Sequence, residues 1–427
     1  MLMDIEKLYH HFLESNGVCT DTRHISKDCL FFALRGENFN GNLFAQEALD
    51  NGASMVVIDE EHYHKPGHTF LVHNTLLALQ ELAQFHRKHL TAKIIALTGS
   101  NGKTTTKELI NSVLSQQFKT VATKGNLNNH IGVPLTLLSI TPETEFGIVE
   151  MGANHLGEIE ILSEISQPDF GYITNFGKAH LEGFGSLEGV VKGKSELYAF
   201  LKENNKKIFI NADDPKQVEI SRDIQRITFG TSSNNFNIEL LDSSDTLVLK
   251  FNGTKIQSNL VGAYNFVNIS AAIAIGAYFK VPTTEIKKGI ESYTPSNNRS
   301  QLIRKHTNTI LLDAYNANPS SMIAALENFK QVAGKNKILI LGDMFELGSD
   351  AAAEHQNIVN FVSTNNMGKV FLVGENFYKT DIEAHHIHKF RTFEELKKEV
   401  LNQPPSEATI LLKASRGMAL ERILEIL

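Results

Sequence analysis

From residue 92 onward the chain alternates short apolar runs with longer stretches whose apolar positions recur every three or four residues. Short apolar runs bounded by turn formers mark buried strands, and the longer period marks helices lying on a sheet. The pattern predicts strands over 93–98, 147–151, 171–175 and 207–211, with helices over 104–116 and 187–201 between them. That alternation is the signature of an α/β fold with a parallel sheet. An alanine-rich helix is predicted over 265–279, and Tyr293, Thr294, Pro295, Ser296, Asn297 and Asn298 then gather turn formers at an expected domain boundary. A second series follows, with strands over 309–313, 337–341, 369–373 and 409–414 and helices over 320–332 and 351–364, the order of a doubly wound domain. The start of the chain holds shorter strands over 30–34, 55–59 and 69–72 and a helix over 75–89. Three units are therefore expected: a small α/β lobe over 1–91, a central domain with a mostly parallel sheet over 92–295, and a doubly wound domain over 296–427.

Size agrees with that division, since 427 residues correspond to roughly two to four domains. With 42% hydrophobic and 21% charged residues, the chain can bury several cores without disulfide or metal staples. A formal charge of -7 with scattered Lys and Arg gives no basic field for nucleic acid. Cys19 and Cys29 are too few for a disulfide framework or a four-thiolate zinc site, so free thiols in a reducing compartment are expected. Asp4, Glu6, Lys7 and Glu14 interrupt the amino-terminal segment, which therefore lacks the apolar core of an export signal. The apolar stretch over 271–279 falls far short of the roughly 18 residues that span a bilayer. A cytoplasmic chain with no membrane insertion is the expectation.

Candidate chemistry begins after the apolar run over 94–98, where Gly99-Ser100-Asn101-Gly102-Lys103-Thr104-Thr105 leads into a helix. Glycines let backbone N–H groups approach phosphate oxygens, a helix N-terminus adds positive potential, and a lysine can bridge the β- and γ-phosphates. Thr104 is then placed to hold magnesium. The spacing is Gly-x-x-Gly-Lys-Thr, because Leu97 stands where the commoner, longer motif has its first glycine. The loop alone admits an ATPase, a kinase or a switch. Glu150 ends the strand over 147–151 and precedes Gly152, at the strand edge where ligands gather in open parallel sheets, so it is a candidate magnesium ligand. His180 follows the next strand in a loop, and Lys192 and Lys194 lie on the helix after it; alone, the first reads as a surface or structural histidine and the other two as solvated helix lysines.

Together, Thr98 to Thr105, Glu150-Met151-Gly152-Ala153-Asn154, Lys178-Ala179-His180-Leu181 and Asn211-Ala212-Asp213-Asp214-Pro215 resemble the Mur ligase family, in order and spacing. Asp313 to Met322 and Leu341 to Gly348 are similar to the branch that adds D-alanyl-D-alanine to UDP-MurNAc-tripeptide. Asp21-Thr22-Arg23 and Leu30 to Gly36 resemble the uridine-nucleotide lobe of its closer relatives. The likeness covers nearly the whole chain. It implies a UDP-sugar lobe, a central P-loop ATPase and a Rossmann-like third domain that closes over it, in a monomer working on small-molecule substrates. It also implies ATP and two magnesium ions as cofactors. Lys103, Glu150, His180 and Lys194 are the implied catalytic and metal set with Thr104, and Lys194 fits the family's carbamylated lysine better than Lys192. Asn268, expected near adenine, Asn129, and Arg299 and Asp313 from the third domain are further implied ATP contacts. Thr22, Arg23, Tyr315, Asn316 and Asn318 are implied substrate contacts. Tyr264 stands where many relatives carry histidine.

Overall fold

The computed structural model describes residues 4–296, 298–334, 336–382 and 384–427; the first three residues of the amino-terminal segment and Asn297 of the expected boundary lie outside the described residues. The strand Lys93–Thr98 is buried at every position after Lys93, and two buried faces are what its unbroken apolar run requires. It sits inside a seven-stranded sheet, between Phe170–Ile173 on one side and Phe146–Glu150 on the other, and every strand pairing in that sheet is parallel. Because the chain leaves Lys93–Thr98 toward one side and later returns on the other, its carboxyl end is a topological switch point, where a crevice opens. The loop after Thr98, Glu150 and the segment leading to His180 all emerge there.

The helix Lys103–Leu114 packs against Asn265–Tyr278, whose interior is alanine and isoleucine buried all round. Gly276 lets the two approach closely, since a Cβ there would meet Val113 Cγ1 at 2.4 Å. The third domain has a six-stranded sheet in which Gln301–Lys305 runs antiparallel to Asn308–Asp313 and the remaining pairings are parallel. Asp313 is level with Lys413 across two neighbouring strands, so both charges sit at the carboxyl edge. The first lobe carries a four-stranded parallel sheet, Val18–Cys19, Leu30–Phe32, Met55–Ile58 and Thr69–Leu71, closed by the helix Thr75–His89.

Most expected elements appear within one or two residues of their predicted ends. The strand predicted over 171–175 stops at Ile173, because Thr174 and Asn175 leave the ladder to bond the phosphate loop. A three-stranded antiparallel sheet, Glu239–Asp242, Val248–Phe251 and Thr254–Gln257, and the helix Thr283–Ser292 were not predicted. Among the described residues no helix is long and apolar enough to cross a membrane, and Cys19 and Cys29 are free.

Two buried histidines make the fold sensitive to acid. His86 holds the first lobe to the central domain, with Nε2 2.9 Å from the Ile140 carbonyl and Nδ1 3.2 Å from the Tyr9 hydroxyl. His355 accepts from the Met344 N–H at Nε2, 3.0 Å away, and Nδ1 lies 2.6 Å from the Ala351 carbonyl, an arrangement that needs the neutral ring. Burial pushes both below the ordinary histidine value of 6.5. The unfolded chain then binds more protons than the folded one between those depressed values and pH 6.5, so stability falls as pH drops through that window. Thermal melts should show Tm declining as pH is lowered from about 7 toward about 5, and His355→Gln should flatten the decline. A melting profile that His355→Gln leaves equally steep would dismiss this account.

Candidate active site

The carboxyl edges of the central and third sheets face one another across a cavity of about 1100 Å³. The backbone of the phosphate loop is shaped by two glycines. Gly99 has φ +141°, and a Cβ there would sit 2.0 Å from Thr174 Oγ1; Gly102 has φ +79°, and a Cβ there would sit 2.6 Å from Asn268 Oδ1. Side chains at either place would push the loop off its supports. Thr174 Oγ1 donates to the Asn101 carbonyl at 2.6 Å, and Asn175 clasps the Asn101 peptide from both ends, Oδ1 to its N–H at 3.1 Å and Nδ2 to its carbonyl at 2.9 Å. Ser100 donates to the Gly177 carbonyl at 2.8 Å. Thr104 and Thr105 are buried in the first turn of Lys103–Leu114 and line the cavity. Lys103 Nζ donates to the Gly99 carbonyl at 2.6 Å, and desolvation holds its pKa down against the opposing pull of Glu150.

Glu150 is only 1% exposed and lines the same cavity. Its Oε1 accepts from Asn128 Nδ2 at 2.8 Å, and its N–H donates to Thr123 Oγ1 at 3.0 Å. Its other oxygen, Oε2, is buried without a hydrogen-bond partner among the described residues. A buried carboxylate oxygen left bare is costly, and a cation is the partner that repays it. His180 has φ +53° and lines the cavity, with Nδ1 2.5 Å from Glu346 Oε2 of the third domain. That oxygen lies off the direction a ring N–H would take, so the pair is a close polar contact and not an aligned hydrogen bond. Glu346 is correspondingly held below the ordinary glutamate range.

Lys192 is exposed, whereas Lys194 is 1% exposed, which separates two lysines that sequence left nearly equivalent. Lys194 Nζ donates to the Ala153 carbonyl at 3.0 Å and lies over the Phe184 ring, 5.1 Å from its centroid. Burial, reinforced by the Lys103 charge, holds its pKa well below the usual lysine value. No three His, Cys, Asp or Glu side chains converge among the described residues. Magnesium asks for no such cluster, since beside a nucleotide it takes one or two protein oxygens and fills its octahedron with phosphate and water. The bare Oε2 of Glu150, in the cavity that Thr104 also lines, fits that demand.

The third domain supplies the opposite wall. Arg299 stacks on Tyr315, with 3.5 Å from guanidinium carbon to ring centroid, and its Nε is buried without a hydrogen-bond partner among the described residues. Asp313 Oδ1 accepts from the Ser300 N–H at 3.2 Å, and Oδ2 lies 2.5 Å from Lys413 Nζ. Asn318 caps the helix Pro319–Gln331 through its Oδ1 and donates from Nδ2 to Asn101 Oδ1 at 2.8 Å, tying that helix to the phosphate loop. Asn316 lines the cavity beside it.

Several expected contacts are otherwise engaged. Asn268 lines the cavity, but its Oδ1 accepts from Thr106 at 3.1 Å and its Nδ2 donates to Asn265 at 2.9 Å, so it braces the loop under Gly102. Asn129 uses Oδ1 to accept from the N–H groups of Ile131 and Gly132, at the start of the helix Gly132–Leu138, while neighbouring Asn128 turns to Glu150. Thr22 and Arg23 lie in the first lobe and do not line this cavity; Arg23 Nη2 pairs with Asp21 at 2.6 Å. Asn128, Glu346 and Lys413 were not singled out in the sequence. Lys413 had a signal, a charge closing an otherwise apolar strand; Asn128 was hidden beside an identical neighbour, and Glu346 had only its motif.

Three family models match the chain: the Mur ligase family catalytic domain over 14–87, the Mur ligase middle domain over 97–276, and the Mur ligase glutamate ligase domain over 298–416. A Bacillus subtilis protein is 36% identical, covering 96% of this chain and 92% of its own length. An Escherichia coli protein is 35% identical, covering 96% and 93%. Both are named UDP-N-acetylmuramoyl-tripeptide--D-alanyl-D-alanine ligase. Among solved structures, MurF from Acinetobacter baumannii superposes with TM-score 0.87 at 31% identity, covering 99% of this chain and 98% of that one. MurF ligase from Thermotoga maritima in complex with ADP superposes with TM-score 0.83 at 25% identity, covering 97% of each.

Proposed function

The chain belongs to the Mur ligase family, and from that premise we propose that it is the ATP-dependent ligase joining D-alanyl-D-alanine to UDP-MurNAc-tripeptide, giving UDP-MurNAc-pentapeptide for peptidoglycan synthesis. One observation carries the mechanistic part: a phosphate loop, a buried Glu150 with a bare oxygen, and the third-domain groups Arg299 and Asp313 face a single cavity. The units are assigned to 1–91 for the UDP-sugar, 92–295 for ATP and 296–427 for closure. The reading is completed by a monomer acting on small-molecule substrates, and the cytoplasmic origin of those substrates favours a cytoplasmic location.

A carboxylate and an amine do not condense at neutral pH without a leaving group. The terminal carboxylate of the tripeptide attacks the γ-phosphorus, the bond to ADP breaks, and an acyl phosphate forms. The amine of D-alanyl-D-alanine then attacks the acyl carbon, loses a proton and expels phosphate. The chain's task is to hold four negatively charged groups together long enough to react, which is positioning and charge neutralisation. Loop N–H groups and Lys103 take the β- and γ-phosphates, with Lys103 exchanging its bond to the Gly99 carbonyl for phosphate oxygen. Arg299 and Asp313 bring the third domain onto the nucleotide, and Tyr315, Asn316 and Asn318 face the incoming substrates. Magnesium, when bound, neutralises phosphate charge and polarises the P–O bonds. Thr104 and Glu150 would hold one ion, and His180 and Lys194 a second. Lys194 suits that task as a carbamate: burial disfavours its charged form and no carboxylate pairs with it among the described residues, which favours the free amine that can add carbon dioxide, lose a proton and become an oxygen ligand.

Phosphate release measured with ATP and UDP-MurNAc-tripeptide should rise strongly when D-alanyl-D-alanine is added, and glutamate or a single alanine should not replace the dipeptide. Release indifferent to the dipeptide would instead describe a nucleotide-binding scaffold and end this proposal.

A further inference from the structure

The segment 343–348 belongs to the motif over 341–348 that sequence analysis found similar to this branch, and no catalytic step above uses it. It crosses from the third domain to the central one, and nearly every residue in it is pinned. Asp343 accepts from the N–H groups of Asn376 and Phe377, each at 2.9 Å; Met344 N–H donates to His355, and Phe345 N–H donates to Ser415 Oγ at 2.9 Å. The strap ends on the His180 loop, where the Glu346 carbonyl accepts from Glu182 N–H at 3.2 Å and Glu346 Oε2 lies 2.5 Å from His180 Nδ1. Both members of that pair are non-glycine residues in left-handed backbone, with φ +53° at His180 and +62° at Glu346. Such conformations are disfavoured and persist where the surroundings enforce them, characteristically at functional sites.

Stability does not account for the contact. Glu346 is 51% exposed, and a polar contact that open to water contributes little. Its geometry does something else: with the Glu346 carboxylate crowding the Nδ1 edge of the ring, out of line with an N–H, Nε2 is the ring nitrogen left for a ligand in the cavity. A carboxylate packed against one edge of an imidazole restricts the ring's rotation, and its negative charge favours a cation at the opposite nitrogen.

Resting on the two-metal site proposed above, we infer that Glu346 is a positioning residue for His180, delivered across the domain interface, so that the second metal site is complete only when the third domain is docked. The neighbouring contacts hold the same loop without touching the imidazole: Ser320 Oγ accepts from Lys178 N–H at 2.8 Å, and Lys178 Nζ lies 2.6 Å from Glu354. They supply a control.

The test is a Mn²⁺ titration followed by electron paramagnetic resonance on the full chain, loaded with a non-hydrolysable ATP analogue and UDP-MurNAc-tripeptide. Wild type should bind two ions. Glu346→Gln and Glu346→Ala should keep one and weaken the other by about tenfold or more, while Glu354→Gln, which loosens the interface elsewhere, should retain both. Unchanged Tm in all three would exclude misfolding, and Glu346→Gln, the closest isostere, serves if the alanine variant melts early. Two tight ions in the Glu346 variants would overturn the inference. So would equal weakening in Glu354→Gln, because docking alone would then explain the loss. A single ion in wild type would sink the two-metal reading itself, a separate and recognisable failure.

Discussion

Lys103→Met is expected to lower kcat by about 10³-fold or more while leaving Tm unchanged or slightly raised. Removing one neutral oxyanion donor from a preorganised site costs about 10²- to 10³-fold, and removing a full positive charge from a transferring phosphoryl group costs about 10³- to 10⁵-fold. Lys103 belongs to the second class, because its ammonium stands at the N-terminus of Lys103–Leu114, between the loop carbonyls and the cavity. Its depressed pKa records the desolvation cost that the folded protein bears before nucleotide arrives. Methionine keeps the volume and removes that cost, so stability should not suffer. Glu150 and Arg299 both influence the Lys103 charge in opposite senses, and neither can replace it at the phosphate. Steady-state phosphate release with saturating substrates, paired with a melting curve, checks both halves. A kcat within tenfold of wild type would mean that the lysine does not meet the γ-phosphate.

How far such a site can be read in advance depends on how local its determinants are. The loop over 99–105 was legible because its glycines, lysine and threonines do their work within seven consecutive residues next to a strand. Sheet order was not written anywhere locally, but apolar runs identified the strands, and parallel connectivity then fixed which edge would carry ligands. The small antiparallel sheet went unseen because its four-residue strands expose much of their surface, and the exposed Glu239, Asp242 and Lys250 blur the alternation. Lys192 and Lys194 differ by two places on one helix; only the helix's packing decides which is buried. Asparagines were harder still. Asn268 and Asn129 carry the same chemistry in a nucleotide contact and in a loop brace, and the structure engages both amides in bracing. Lys413 and Glu346 gain their meaning from partners distant in the chain, Asp313 in one case and His180 in the other.

Lys413→Met is the substitution with the largest expected effect on stability. Lys413 is 2% exposed and its ammonium lies 2.5 Å from Asp313 Oδ2, with the Asn316 carbonyl at 3.4 Å as a further acceptor. Removing one member of a buried ion pair leaves the other uncompensated, at a cost of about 3–5 kcal/mol. Asp313 keeps 17% exposure and the Ser300 N–H, so the lower end of that range applies. Disturbance should also pass along the chain of contacts from Asp313 to Ser300 and from Ser300 Oγ to the Tyr264 hydroxyl, 2.8 Å away in the central domain. Lys413→Met should therefore lower Tm and weaken nucleotide binding together. Adding Asp313→Asn removes the stranded charge, and a buried pair replaced by neutral groups is often as stable as the original. The double variant should recover most of the lost Tm. Activity should stay low, because the carboxylate assigned to ATP is gone. Recovery of both would make the pair purely structural; recovery of neither would mean that Lys413 holds the strand edge through something other than its charge.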